Sequence, residues 1–85
     1  MEPGLALQEF LEYIVGQLVE NPAKASVLHE KEGSKHIYRV RVAQSDVGIV
    51  IGRNGYTISA IRSLFKAAAQ KHGVHATLRV DEVED

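Results

Sequence analysis

Gly48-Ile49-Val50-Ile51-Gly52-Arg53-Asn54-Gly55-Tyr56-Thr57-Ile58 is the stretch on which the reading of this chain turns. Two glycines flank the polar pair Arg53-Asn54, with apolar residues on either side. Glycine reaches positive φ and lets another backbone come close with no Cβ in the way. Asparagine also tolerates left-handed backbone while offering hydrogen-bond donors. Downstream, Ile58, Ile61, Leu64, Phe65 and Ala68 recur in steps of three and four. That spacing predicts a helix running to about His72 with those residues on its buried stripe, and Gly73 suits the position just past a helix end. Upstream, Ser45 or Asp46 can cap a short helix carrying Val47, Val50 and Ile51. The glycines therefore sit between two helices, and the second aims its free N–H groups and positive dipole end into the gap. With Arg53 adding a mobile charge, the loop suits the sugar-phosphate backbone of an extended strand. Bases would lie in an apolar groove edged by Val50, Ile51 and Ile58 and floored by the central strand.

The rest of the chain frames this loop. His36 to Val42 alternates as a strong strand, with Tyr38, Val40 and Val42 on one face and Ile37, Arg39 and Arg41 on the other. Residues 25–31 read as a weaker strand, joined to it by a turn centred on Gly33. Ala76, Leu78 and Val80 alternate as a third strand. From Leu7 to Val19 the apolar residues Leu7, Phe10, Leu11, Ile14, Val15, Leu18 and Val19 form one helical stripe, stopped by Asn21-Pro22. Its polar side is acidic, which favours packing onto a core over lying on a membrane. The order is α-β-β-α-α-β, an α+β fold of one domain over residues 1–85, with residues 1–5 and 82–85 expected as frayed ends.

At 85 residues the chain has room for a single thin core. It contains no cysteine, so neither a disulfide framework nor a thiolate metal site holds it, and a reducing, cytoplasmic setting is expected. The net charge of −1 hides a segregated pattern. Residues 1–34 carry six acids against Lys24 and Lys31, and residues 80–85 add Asp81, Glu82, Glu84 and Asp85. Between them, eight cations stand against Asp46 alone, an asymmetry that favours a polyanionic partner. Arg62 and Lys66 are like charges four apart on a helix, a costly pair unless an anion lies nearby.

Other chemistries fit poorly. No Gly-Lys-Ser/Thr ending makes the glycines a P-loop, and no Gly-x-Gly follows a strand. His72 and His75 straddle a helix end without a third ligand, so no metal is implied. No nucleophile elbow or apolar carboxylate pair appears, which argues against an enzyme. No cofactor is implied.

Val50-Ile51-Gly52-Arg53-Asn54-Gly55, followed by Ile58 and Ile61, resembles the core motif of KH domains, whose GXXG loop clamps about four nucleotides. The preceding helix and hairpin match the type II KH order. Length and layout are similar to the small bacterial single-KH proteins of the KhpA type, over essentially the whole chain. The resemblance implies a single type II KH domain, with a three-stranded sheet and helices packed on one face. It also implies a single-stranded RNA-binding protein acting as an RNA chaperone or post-transcriptional regulator, tied to cell-length and cell-wall control. As partners it implies a second copy or a larger KH-containing protein. The residues expected at RNA are Gly52, Arg53, Asn54 and Gly55 on the backbone and Ile51, Tyr56 and Ile58 on bases. Arg62, Lys66 and Arg39 would add diffuse attraction. Family members often carry lysine where this chain has Ile49 and a basic residue where it has Tyr56. Those departures weaken phosphate binding, while Tyr56 can stack on a base for roughly 1–3 kcal/mol. Two rival readings remain: an assembly module with weakened nucleic-acid binding, and a single-stranded DNA binder.

Overall fold

The first helix, α1, spans Pro3–Leu18 in the computed structural model, which describes residues 2–83. It starts four residues before the periodicity predicts. Proline in its first turn loses nothing by lacking an N–H, and the Tyr38 hydroxyl donates to the Gly4 carbonyl at 2.9 Å. Residues 3–5, expected to be frayed, are thus the first turn of a docked helix. Leu7, Leu11 and Val15 are its buried side chains. The chain turns extended at Val19 and passes through a short 3₁₀ turn at Pro22–Lys24.

Strands β1 (Ser26–Glu32) and β2 (Lys35–Ala43) form an antiparallel hairpin whose turn holds Gly33 at φ 64°. Strand β3 (His75–Val83) pairs in parallel with β2, so the sheet order is β1-β2-β3 with β2 central. Glu82 and Val83, expected in a frayed tail, complete β3, while Met1, Glu84 and Asp85 lie outside the described residues. Tyr38, Val40 and Val42 face the helices and are buried, as the alternation predicts. Ile37 points to the opposite face yet is only 6% exposed, because Glu30 and Thr77 flank it in register.

Helix α2 (Gln44–Ile51) follows β2 directly, and neither Ser45 nor Asp46 caps it. Asp46 turns into the protein and is 1% exposed. Helix α3 (Tyr56–Lys71) buries Ile61, Phe65 and Ala69, with Ile58 and Ala68 partly covered. Leu64, expected on the buried stripe, is 57% exposed. The inward stripe advances by fours, from Ile61 to Phe65 to Ala69, and Leu64 falls beside it. Phe65 meets Tyr38 edge-on at 5.3 Å, joining α3 to the central strand. Gly73, at φ 67°, follows the end of α3.

Candidate functional site

The loop between α2 and α3 is a tight reversal built from left-handed backbone. Gly52 ends α2 at φ 78°, ψ 171°, and its carbonyl accepts the Gly55 N–H at 3.1 Å. A Cβ at Gly52 would run into the side chain of Thr57 and lie 2.9 Å from the Thr57 nitrogen. Asn54 (φ 55°) and Gly55 (φ 75°) follow in the left-handed region. Gly55 differs from Gly52 in having no atom within 4 Å of where its Cβ would stand. One glycine makes the turn possible, and the other leaves the approach clear. No side chain caps the start of α3; the Tyr56 N–H donates to the Arg53 carbonyl, and the Arg53 and Asn54 side chains stand exposed beside the helix start.

The loop is aimed by a residue outside it. The Asp46 carboxylate accepts the backbone N–H groups of Glu20 (3.1 Å) and Asn21 (3.0 Å) and the Asn21 side-chain amide (3.2 Å). Burial pushes this carboxyl up, but the three donors outweigh it and hold it below the usual carboxylate range. The bond set ties α2 to the segment after α1. The signal in the sequence was that Asp46 is the sole acid in the basic middle of the chain.

Ile51, Gly52, Arg53, Asn54, Gly55, Tyr56 and Ile58 come together at the α2–α3 junction. Tyr56 is 71% exposed at the first position of α3, whereas Ile51 and Ile58 are half-buried. Val50, expected on the rim of a groove, is a core residue at 1% exposure. Val40 and Val42 of the central strand are covered by the helices, so the floor beside α3 belongs to edge strand β3 rather than to β2. Arg62 and Lys66 line the same side of α3 further along, and Arg62 Nη1 donates to the Leu78 carbonyl at 2.6 Å. Arg39 is not brought to the loop. It lies on the open face of the sheet, paired with Glu30 at 2.5 Å and Asp81 at 3.4 Å.

Sequence reasoning missed two features. Gln70, Val74 and Thr77 join Arg62 and Lys66 around a pocket between α3 and β3. Near the start of α1, His29 Nε2 and His36 Nδ1 share a hydrogen bond of 2.7 Å while His29 stacks on Tyr38. Burial and neighbouring His29 and Lys31 hold His36 below its usual value. Pairing across β1 and β2, and hence this contact, follows from hairpin register rather than from local sequence.

A three-stranded sheet of this order, backed by helices and carrying a Gly-x-x-Gly reversal between the last two of them, is a type II KH domain. The chain's similarities agree. The family model described as KhpA/KhpB, KH domain, matches residues 8–81. A Borreliella burgdorferi protein named RNA-binding protein KhpA is 43% identical, the match covering 85% of this chain and 88% of that one. The Chlamydia trachomatis protein of the same name is 37% identical over 89% of this chain and 97% of its own. The structure of Era in complex with MgGDPNP and nucleotides 1506–1542 of 16S ribosomal RNA matches with a TM-score of 0.65. That match is 16% identical and covers all of this chain and 33% of the Era chain, a likeness of fold alone. This chain belongs to the KhpA/KhpB KH-domain family.

Proposed function

We propose that this chain is a cytoplasmic single-stranded RNA-binding protein whose Gly52–Gly55 loop grips the backbone of about four nucleotides. The observation that carries the reading is the clear approach at Gly55, set between exposed Arg53 and Asn54 and the uncapped start of α3. Phosphates meet backbone N–H groups and Arg53, while bases meet Ile51, Ile58 and Tyr56. The family supports a further role as an RNA chaperone or post-transcriptional regulator tied to cell length and cell wall. A grip on two or three phosphates is weak, so useful binding calls for avidity from a second copy or a larger KH-containing partner.

The test replaces Arg53 and Asn54 by aspartates and measures RNA affinity by fluorescence anisotropy, with circular dichroism and sedimentation on the same sample. Affinity should fall at least tenfold while fold and self-association persist. Unchanged affinity in a folded double variant overturns the loop as the RNA site and leaves the assembly reading in its place. A parallel titration with DNA of the same sequence separates RNA from single-stranded DNA binding.

A further inference from the structure

The chain has two asparagines, and only one of them can react with its own backbone. Asn21 precedes Pro22, whose nitrogen carries no hydrogen and cannot attack a side-chain amide. The Asn21 amide nitrogen is also held by Ser45 at 3.3 Å and Asp46 at 3.2 Å. Asn54 precedes Gly55, which has no side chain to shield its nitrogen and no atom within 4 Å of where a Cβ would stand. Asn54 is exposed, and among the described residues nothing hydrogen-bonds its side chain. In such a pair the glycine nitrogen can reach the asparagine Cγ and close a five-membered imide. The closed loop withholds that step in two ways. At an Asn54 ψ of 22° the Gly55 nitrogen nearly eclipses the Asn54 nitrogen, turned away from Cβ. Its N–H also donates to the Gly52 carbonyl at 3.1 Å.

We propose that Asn54 is a self-modification site through which the unoccupied loop inactivates itself, with loop opening as the gate and bound RNA as the lock. The proposal rests on the loop reading for the function that is lost. When the reversal opens, the hydrogen bond from Gly55 to Gly52 breaks and the Gly55 nitrogen swings toward the side chain. That nitrogen gives its proton to hydroxide and bonds to the Asn54 Cγ. The Cγ–Nδ2 bond breaks, and Nδ2 takes a proton from water and leaves as ammonia. A second water then opens the ring. Attack at Cγ leaves aspartate, whereas attack at the main-chain carbonyl leaves isoaspartate, with the backbone one carbon longer. Hydroxide is regenerated, so water is the only reactant consumed. Either product sets a carboxylate next to Arg53, where the loop reading puts phosphates, and isoaspartate also lengthens a turn closed over three residues. RNA that grips the closed loop keeps the Gly55 N–H on Gly52. At about ten times its Kd, RNA lowers the open population about tenfold. The occupied molecule is preserved, and the idle one is retired.

The test ages the full chain in mildly alkaline buffer in three states: free, with random-sequence RNA tetranucleotide, and unfolded in urea. Peptide mass mapping follows residue 54. Conversion should change the mass of that peptide by the exchange of an amide for a carboxyl, release ammonia and create a substrate for an isoaspartate methyltransferase. The folded chain should convert at least about tenfold more slowly than the unfolded one, a ratio that reads the free energy of loop opening. RNA at about ten times its Kd should slow the folded chain about tenfold further. RNA affinity should fall in step with the converted fraction, and Asn54→Asp, made directly, should show the same loss. Asn54→Gln would need a six-membered ring, so it should keep its mass and its starting affinity through the same incubation. A residue 54 peptide unchanged in the folded chain while the unfolded chain converts overturns the proposal. So does equal conversion in folded and unfolded chain, or with and without RNA. Conversion is read by mass in the absence of RNA, whereas the Arg53 and Asn54 double variant tests the loop by affinity, so the two ideas fail separately.

Discussion

Gly52 and Gly55 look equivalent in the motif, and the backbone makes them unequal. Gly52 sits in a region that essentially only glycine enters, and any Cβ there collides with Thr57. Gly52→Ala should therefore cost about 2–3 kcal/mol or more, read as a shift in the urea midpoint. Gly55→Ala meets only the left-handed penalty, about 1–2 kcal/mol, since nothing stands nearby. The RNA-binding loss should rank the other way per unit of stability, because a methyl at Gly55 obstructs the open approach. Asp46 gives a pH-dependent prediction. Its carboxyl is lowered in the fold, so its contribution is full above the unfolded value, about 3.9, and is lost as pH falls through the lower folded value. Asp46→Asn should be less stable than the parent chain near pH 6, with the gap closing toward pH 3 in paired urea titrations. None of this was visible in the loop motif, because a collision with Thr57 and bonds to Glu20 and Asn21 are facts of three dimensions.

At the scale of elements, α3 shows where periodicity succeeds and where it slips. Ile58, Ile61, Phe65 and Ala68 meet the core as predicted, because their spacing alone defines a face. Leu64 sits at the border of that face, and apolar identity alone could not tell border from centre. Leu64→Gln should change stability by no more than about 0.5 kcal/mol, while Phe65→Ala should lose about 3–5 kcal/mol by thermal or chemical melting. The ends of elements were the least legible. Pro3 starts α1 because Tyr38 reaches Gly4 from across the fold. Strand β3 runs on to Val83 because β2 offers partners as far as Ala43. Such limits are set by neighbours in space, which a local reading does not contain.

Across the whole molecule, the basic middle of the chain divides between two surfaces. Arg53, Arg62, Lys66 and Lys71 stand on the loop and α3, whereas Lys35, Arg39, Arg41 and Arg79 lie on the open sheet face among Glu30, Glu32 and Asp81. The charge pattern pointed correctly to a basic region, but alternation along β2 sends Arg39 to the far side, where two carboxylates hold it. Only the first group should enter RNA binding at the loop, with a salt slope of roughly −1.5 to −2 for tetranucleotides. Arg39→Gln should then leave affinity within about twofold across a salt series. The same architecture has a kinetic side. Turning β1 into β2 is a local event, since Gly33 and Ser34 alone separate them. Joining β2 to β3 brings Lys35 against His75 across about forty residues, and both α2 and α3 lie in that loop. Non-local parallel pairing is slow because chain entropy is lost before contacts return it. The hairpin should gain hydrogen-exchange protection early in refolding and β3 late. A nascent chain would own its scaffold well before it owned a groove, and RNA could engage only the finished fold.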